Sequence, residues 1–320
     1  MPLTDLPLKE LFSYTGRNPR PADLDDYWSA ALDELAAIDP RVALAEIPTS
    51  ATFARAFDLR WTGVGGAEVY AKLMRPKSGL IGPALIKFHG YSMHSGDWFD
   101  LLPYVANGFT VAAMDVRGQA GLSSDPGGAI GNTLQGHIVR GLSDRPEKLF
   151  YRSVFLDTAQ LARIVMGMEG VDPARVGAMG WSQGGGLTLA CAALEPRIAR
   201  IAPVYPFLCD YQRVWEMDLA ANSAYDEIRS WFRRFDPRHE REAEVFTRLG
   251  YIDNQHLASR IQAQTLMVSG QMDTACPIST QFAAYNRISA PKDVLIYPDY
   301  AHEGLPEAND LIFAFMCEML

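Results

Sequence analysis

The sequence predicts an α/β fold built on a doubly wound, mostly parallel sheet, and three observations carry that prediction. Short apolar runs of strand length alternate along the chain with segments of helical period. The 320 residues are 48% hydrophobic and 21% charged, enough apolar surface for a large core and too little charge for a disordered chain. Lastly, a sharp glycine-rich turn, Gly180-Trp181-Ser182-Gln183-Gly184, joins one apolar run directly to a helix.

Taken in order, Ala22 to about Ile38 has apolar residues at helical spacing and acidic residues in the first turn, where the helix dipole favours them, and reads as an amphipathic helix. The stretch from Phe53 to Gly79 alternates apolar and polar residues around Gly63, Gly65 and Gly66, as a hairpin does. Buried strands are expected at Ala84–Phe88 and Phe109–Val116, each ending in a turn, His89-Gly90 after the first and Arg117-Gly118 after the second. Phe150–Met168 has helical periodicity, and Arg175–Trp181 is a short apolar strand followed by the glycine turn and the helical LTLACAAL. Further strands are expected near Ile198–Val204, Gln264–Val268 and Val294–Tyr297, with helices at Ile278–Arg287 and Glu307–Met319.

The length would suit two domains at roughly 150 residues each. The chain nevertheless contains no repeat, no low-complexity tract and no flexible linker, so residues 1–320 are expected to form a single domain. The extra length falls to an N-terminal helical arm, residues 1–45, and to a stretch from about Phe207 to His256 that is rich in charge and aromatics and lacks a core strand. That stretch reads as a helical insertion over the sheet.

Composition also excludes partners. With 38 acidic against 29 basic residues the formal charge is −9, which repels a phosphate backbone and offers no field for nucleic acid or an anionic membrane. Cys191, Cys209, Cys276 and Cys317 are far apart and form no CxxC pair, so reduced, partly buried thiols are expected rather than a disulfide framework or a zinc site. The opening MPLTDLPLKELF carries acidic residues and no long apolar stretch, and nothing reaches the ~18 apolar residues of a membrane span, so a cytoplasmic location is expected.

The chemistry is written in the turn. A GxSxG match between a strand and a helix is the pattern of a nucleophile elbow, in which the serine sits in a strained turn and side chains two positions either side would collide with backbone. The helix start then points at Ser182, and the Gln183 backbone N–H is placed to donate to a developing oxyanion. A serine needs a base, and in an α/β hydrolase the order is nucleophile, acid, histidine. Of the histidines after Ser182, His239 and His256 fall in the insertion. His302 lies between the last strand and the last helix, where it can reach back over the strand ends, and is the expected base. Asp273, at the carboxyl end of the penultimate strand, is the expected acid in preference to Asp299, which shares the loop of His302. Asp115 precedes the nucleophile and is read as structural. The second oxyanion donor should come from the loop after the third strand, which opens His89-Gly90-Tyr91, so the Tyr91 N–H is the candidate and its ring a wall of the acyl pocket. His89 and His94 lack partners at ligand spacing, so no metal is expected, nor any cofactor.

These motifs together resemble the acetyl xylan esterase and cephalosporin C deacetylase group, the seventh carbohydrate esterase family, within the α/β hydrolases. The resemblance rests on Arg117-Gly118-Gln119, on Gly180 to Gly186, and on His302-Glu303. It extends through the MPLTDLPLKEL opening, the FHGY loop, YRSVFLDTAQ and QFAAYNRI. It implies deacetylation of small acetylated sugars such as xylo-oligosaccharides and of cephalosporin C, with Ser182 as nucleophile, His302 as base, Asp273 as acid, and Tyr91 and Gln183 as oxyanion donors. It also implies a cytoplasmic homohexamer whose sites face an internal chamber closed to polymeric xylan, and it treats Arg117-Gly118-Gln119 as architectural, with no chemistry. Trp181, beside the serine, is larger than the residue in some relatives and bears on pocket size. The rival readings are a peptidase or longer-acyl esterase on the same fold, and a binding protein that keeps the fold without catalysis.

Overall fold

Side chains that alternate across a strand need two covers, and here each face of the central strands has one. The computed structural model describes residues 4–126, 133–220 and 223–320. Its strands are β1 (Ala43–Ile47), β2 (Ala54–Thr62), β3 (Glu68–Pro76), β4 (Gly82–Phe88), β5 (Thr110–Asp115), β6 (Val171–Trp181), β7 (Arg200–Val204), β8 (Gln264–Gly270) and β9 (Lys292–Tyr297). They form one sheet in the order β1-β2-β3-β5-β4-β6-β7-β8-β9. The pairings β1–β2, β2–β3 and β3–β5 are antiparallel, and every pairing from β5 to β9 is parallel. The hairpin read around Gly63 joins β2 to β3 with Thr62 opposite Glu68, and Gly65 supplies the turn with φ +69°.

The helices are α1 (Leu8–Leu11), α2 (Leu24–Ala36), α3 (Leu102–Ala106), α4 (Phe150–Met166), α5 (Gln183–Leu194), α6 (Tyr211–Met217), α7 (Asp226–Phe235), α8 (Glu242–Leu249), α9 (Asn254–Leu257), α10 (Ile278–Tyr285) and α11 (Ala308–Cys317). Ala112 and Met114 of β5 and Ile86 of β4 face the larger core, with α2, α4 and α5 over them. Val111 and Ala113 of β5 and Leu85 of β4 face the other, under α3 and α11. This two-sided burial explains why the central strands are unbroken apolar runs rather than alternating ones. Every residue of α5 is buried, which is why its sequence shows no polar stripe.

Two features differ from the sequence reading. Ala43–Ile47 forms an edge strand that was not expected, so the loop carrying Tyr91 follows the fourth strand of the chain and not the third. Several ends also shift by a few residues; the last helix runs Ala308–Cys317 rather than Glu307–Met319. Between Phe207 and His256 the described residues hold helical turns and no strand. Among the described residues no helix is long and apolar enough to cross a membrane.

Candidate active site

The parallel strands β4, β6, β7 and β8 end on the same side of the sheet, and the sequence-predicted residues gather at those ends. Ser182 follows β6 directly with φ +56° and ψ −118°, a conformation costly for any residue with a Cβ. Its backbone holds it there: Ser182 N–H donates to Val204 O at 3.0 Å, and its own carbonyl accepts from Gly186 and Phe207 amides, both at 3.0 Å. The flanking glycines are required by contact. A Cβ on Gly180 would lie 2.7 Å from Phe88 O, and one on Gly184 would overlap that same carbonyl more deeply. The helix α5 can therefore start against β4 only because both positions lack a side chain.

Asp273, in the turn after β8, is 1% exposed. One carboxylate oxygen accepts from the Ala275 and Cys276 amides at 2.9 and 2.8 Å, and the other lies 2.8 Å from His302 Nδ1. Because the acceptor is a carboxylate, His302 Nδ1 carries the proton and Nε2 is left free to accept. The Tyr205 ring packs on the imidazole with centroids 4.4 Å apart, from a backbone at φ +32°. Burial, and then Asp273, push the Tyr205 hydroxyl up to about 12. The Asp273–His302 bond is made, whereas Ser182 Oγ and His302 Nε2 are not hydrogen-bonded. Catalytic hydrogen bonds are often long in an unliganded site.

Cys276 is a neighbour the sequence reading missed. Its buried thiol adjoins the Ser182 hydroxyl, and burial followed by the charge of Asp273 pushes its pKa up. Asp273, Cys276 and His302 offer ligand atoms within 4.8 Å of one another, a spacing compatible with a metal ion. The Asp273 oxygens are, however, already engaged by His302 and by two amides, so a metal would have to displace the very bonds that orient the imidazole.

Among the described residues neither the Tyr91 nor the Gln183 backbone N–H has a protein acceptor. Side-chain amides tie the loop of one to the elbow of the other. Gln119 and Gln183 exchange hydrogen bonds at 2.7 and 3.0 Å, and Gln119 Oε1 also accepts from Ser92 N–H at 3.0 Å. Tyr151 Oη donates to Gln183 Oε1 at 2.8 Å. Gln119 thus ties the loop after β4 to the elbow, a role in keeping with the scaffold reading of its motif. Arg117 is the architectural part: its fork grips Asp157 at 2.6 and 2.7 Å and Val64 O at 3.0 Å, wholly buried. His89 is a satisfied neutral histidine, accepting from Val116 N–H at 2.9 Å while Nδ1 donates to Gly90 O at 2.7 Å. Asp115 anchors the Ser95 and Leu122 amides at 2.7 and 2.8 Å.

Trp181 corrects an expectation. Its side chain packs in the core under α11 and lines a cavity of about 780 Å³ with His94, Phe99, Leu305 and Phe313, among whose lining residues Ser182 and His302 do not figure. On β6 residue 181 shares the face of Met179, toward α3 and α11, while Ser182 already lies in the turn beyond the strand end. Tyr91 borders another cavity, of about 710 Å³ and walled by α7, whose lining likewise includes neither Ser182 nor His302.

The chain is similar to known esterases over nearly its whole length. The acetyl xylan esterase (AXE1) family profile matches residues 1–319. The chain is similar to the crystal structure of acetyl xylan esterase 1 from Thermoanaerobacterium sp. JW/SL YS485, at 58% identity and a TM-score of 0.95 over 98% of this chain and 99% of that one. It is also similar to an acetyl xylan esterase from Paenibacillus sp. R4, at 35% identity and a TM-score of 0.91 over 98% and 100%. The acetyl esterase Axe7A of Xylanibacter ruminicola is 25% identical over 308 residues, 94% of this chain and 67% of that protein. The α/β-hydrolase fold is shared with solved hydrolases of far lower identity.

Proposed function

From the premise that the chain belongs to the acetyl xylan esterase family and is a carboxylic ester hydrolase, we propose that it removes acetyl groups by a Ser182–His302–Asp273 triad. His302 Nε2 takes the Ser182 proton as Oγ attacks the acetyl carbonyl carbon. The tetrahedral oxyanion is received by the Tyr91 and Gln183 amides, His302 returns the proton to the departing alcohol, and water repeats the sequence on the acetyl-enzyme. The observation that carries this reading is the 2.8 Å Asp273–His302 pair beside a serine held at φ +56°.

The substrates are small acetylated sugars, xylo-oligosaccharides above all, together with cephalosporin C. The acetylated sugars are neutral esters and need no electrostatic steering, consistent with a chain of formal charge −9. Tyr91, and not Trp181, is the bulky side chain that limits acyl size. One domain with an N-terminal arm over 1–45 and an insertion over about 207–256 assembles as a cytoplasmic homohexamer, which sedimentation of the purified protein tests. The chemistry is tested by Ser182→Ala: acetate release from acetylated xylo-oligosaccharides and from cephalosporin C should vanish with the circular dichroism spectrum unchanged. A fluorophosphonate probe should label the wild type at Ser182 alone. Residual activity of Ser182→Ala near that of wild type would end the reading.

A further inference from the structure

Glu227 has no part in the chemistry above, yet it joins three segments at the edge of the site. It lies in the first turn of α7, where the helix dipole favours a carboxylate, and is half-buried. Its Oε1 accepts from Tyr91 Oη–H and from Gly136 N–H at 2.7 Å, and its Oε2 accepts from Ile138 N–H at 2.9 Å. The Tyr91 hydroxyl in turn accepts from His137 N–H at 3.3 Å. Its ring is packed edge-on against Phe207 and His137, with centroids 5.8 and 5.3 Å away.

All three partners of Glu227 are donors. Only a carboxylate accepts from all of them, because a glutamine would turn an N–H against one. Tyr91 is therefore fixed at both ends: its hydroxyl by Glu227, and the following Ser92 amide by Gln119 at 3.0 Å. Between those two anchors lies the Tyr91 backbone N–H, which has no protein acceptor among the described residues.

We propose that Glu227 is a positioning residue of the oxyanion hole, holding Tyr91 so that its backbone N–H points at the developing oxyanion. This rests on the reading of Tyr91 as an oxyanion donor given above. Through Glu227 the helical segment over the sheet, which supplies none of the proposed triad, sets the efficiency of acyl transfer. An interaction that acts by aiming a donor used only in the transition state should appear in kcat and not in KM.

The test uses the full chain with 4-nitrophenyl acetate and compares wild type, Glu227→Gln, Tyr91→Phe and the double variant, with active sites counted by fluorophosphonate labelling. Each single variant should lower kcat per active site by about ten- to a hundredfold, the scale of a small misplacement of a catalytic group, with KM nearly unchanged. Because both act through one contact, the double variant should lose little more than the weaker single variant. Unchanged kcat per active site with a lowered melting temperature would make the contact merely structural and overturn the proposal. So would a raised KM at constant kcat, or losses that multiply in the double variant. Tyr91→Phe keeps the ring and removes only the hydroxyl, with its bonds to Glu227 and to the His137 amide, so it decides the matter even where Glu227→Gln fails to fold. If wild type is not labelled at Ser182, the underlying reading fails; if it is labelled and active while the variants match it, only the role of Glu227 fails.

Discussion

Three donors converge on Asp273: His302 Nδ1–H and the Ala275 and Cys276 amides. An asparagine there would keep its oxygen on the two amides and turn its NH₂ toward the imidazole. His302 would then have to accept at Nδ1 and carry its proton on Nε2, where it cannot act as a base. Asp273→Asn is therefore expected to lower kcat by about ten-thousandfold while the protein stays folded, measured as acetate release per labelled active site. A loss below tenfold would remove Asp273 from the mechanism. Strand order and loop position pointed to Asp273 over Asp299, and Asp273 is the carboxylate that meets His302 Nδ1 at 2.8 Å. Cys276, Tyr205 and Glu227 were not legible, since each acquires meaning only from a partner far away in the chain: Ser182, His302 and Tyr91 respectively. Trp181 adjoins Ser182 in sequence but lines the cavity beside α11, a placement that adjacency alone does not reveal.

At the level of elements, the elbow is a packing solution before it is a catalytic one. Gly184 and Gly180 let α5 begin in contact with the carbonyl of Phe88, and Gly185 faces Val204 O, 2.7 Å from where its Cβ would stand. Since the obstacles are backbone carbonyls of β4 and β7, they cannot move aside as side chains do. Gly184→Ala should cost roughly 1–3 kcal/mol from overpacking and should also tilt the Ser182 amide and its neighbour Gln183. Urea titration and kcat per active site should both fall, and a variant as stable and as active as wild type would contradict the close approach. The central strands were readable because burial on both faces makes them plain apolar runs. Strand β1 was not, because ALAEI sits at an exposed edge, where nothing imposes an apolar pattern.

For the molecule as a whole, the acid side of its stability follows from where the histidines lie. Burial lowers His137 and His256 to about 4, with Arg140 and Arg287 respectively adding to the effect, and burial lowers His89 as well. In the unfolded chain the same groups titrate near ~6.5, so below that pH the unfolded state binds protons that the folded state refuses. Their contribution is complete above ~6.5 and is lost as pH falls toward and through the folded values. Two carboxyls act in the opposite sense. Burial, then Asp210, raises Asp253 to about 7, and burial raises Glu227, so each stabilises the fold when protonated and loses that contribution as pH rises through its folded value. His137 and His256, both held to about 4 in the fold, outnumber Asp253, raised to about 7, so between pH 6.5 and 5 the unfolded state binds more protons through these groups and stability should decline on acidification across that window. The urea midpoint should therefore drop from pH 7 to pH 5, and His256→Gln, whose amide oxygen can still accept from Arg287, should make the decline shallower. An unchanged slope in His256→Gln would mean that His256 takes up protons alike in the folded and unfolded states, and a midpoint that rises on acidification would mean that the raised carboxyls outweigh the buried histidines.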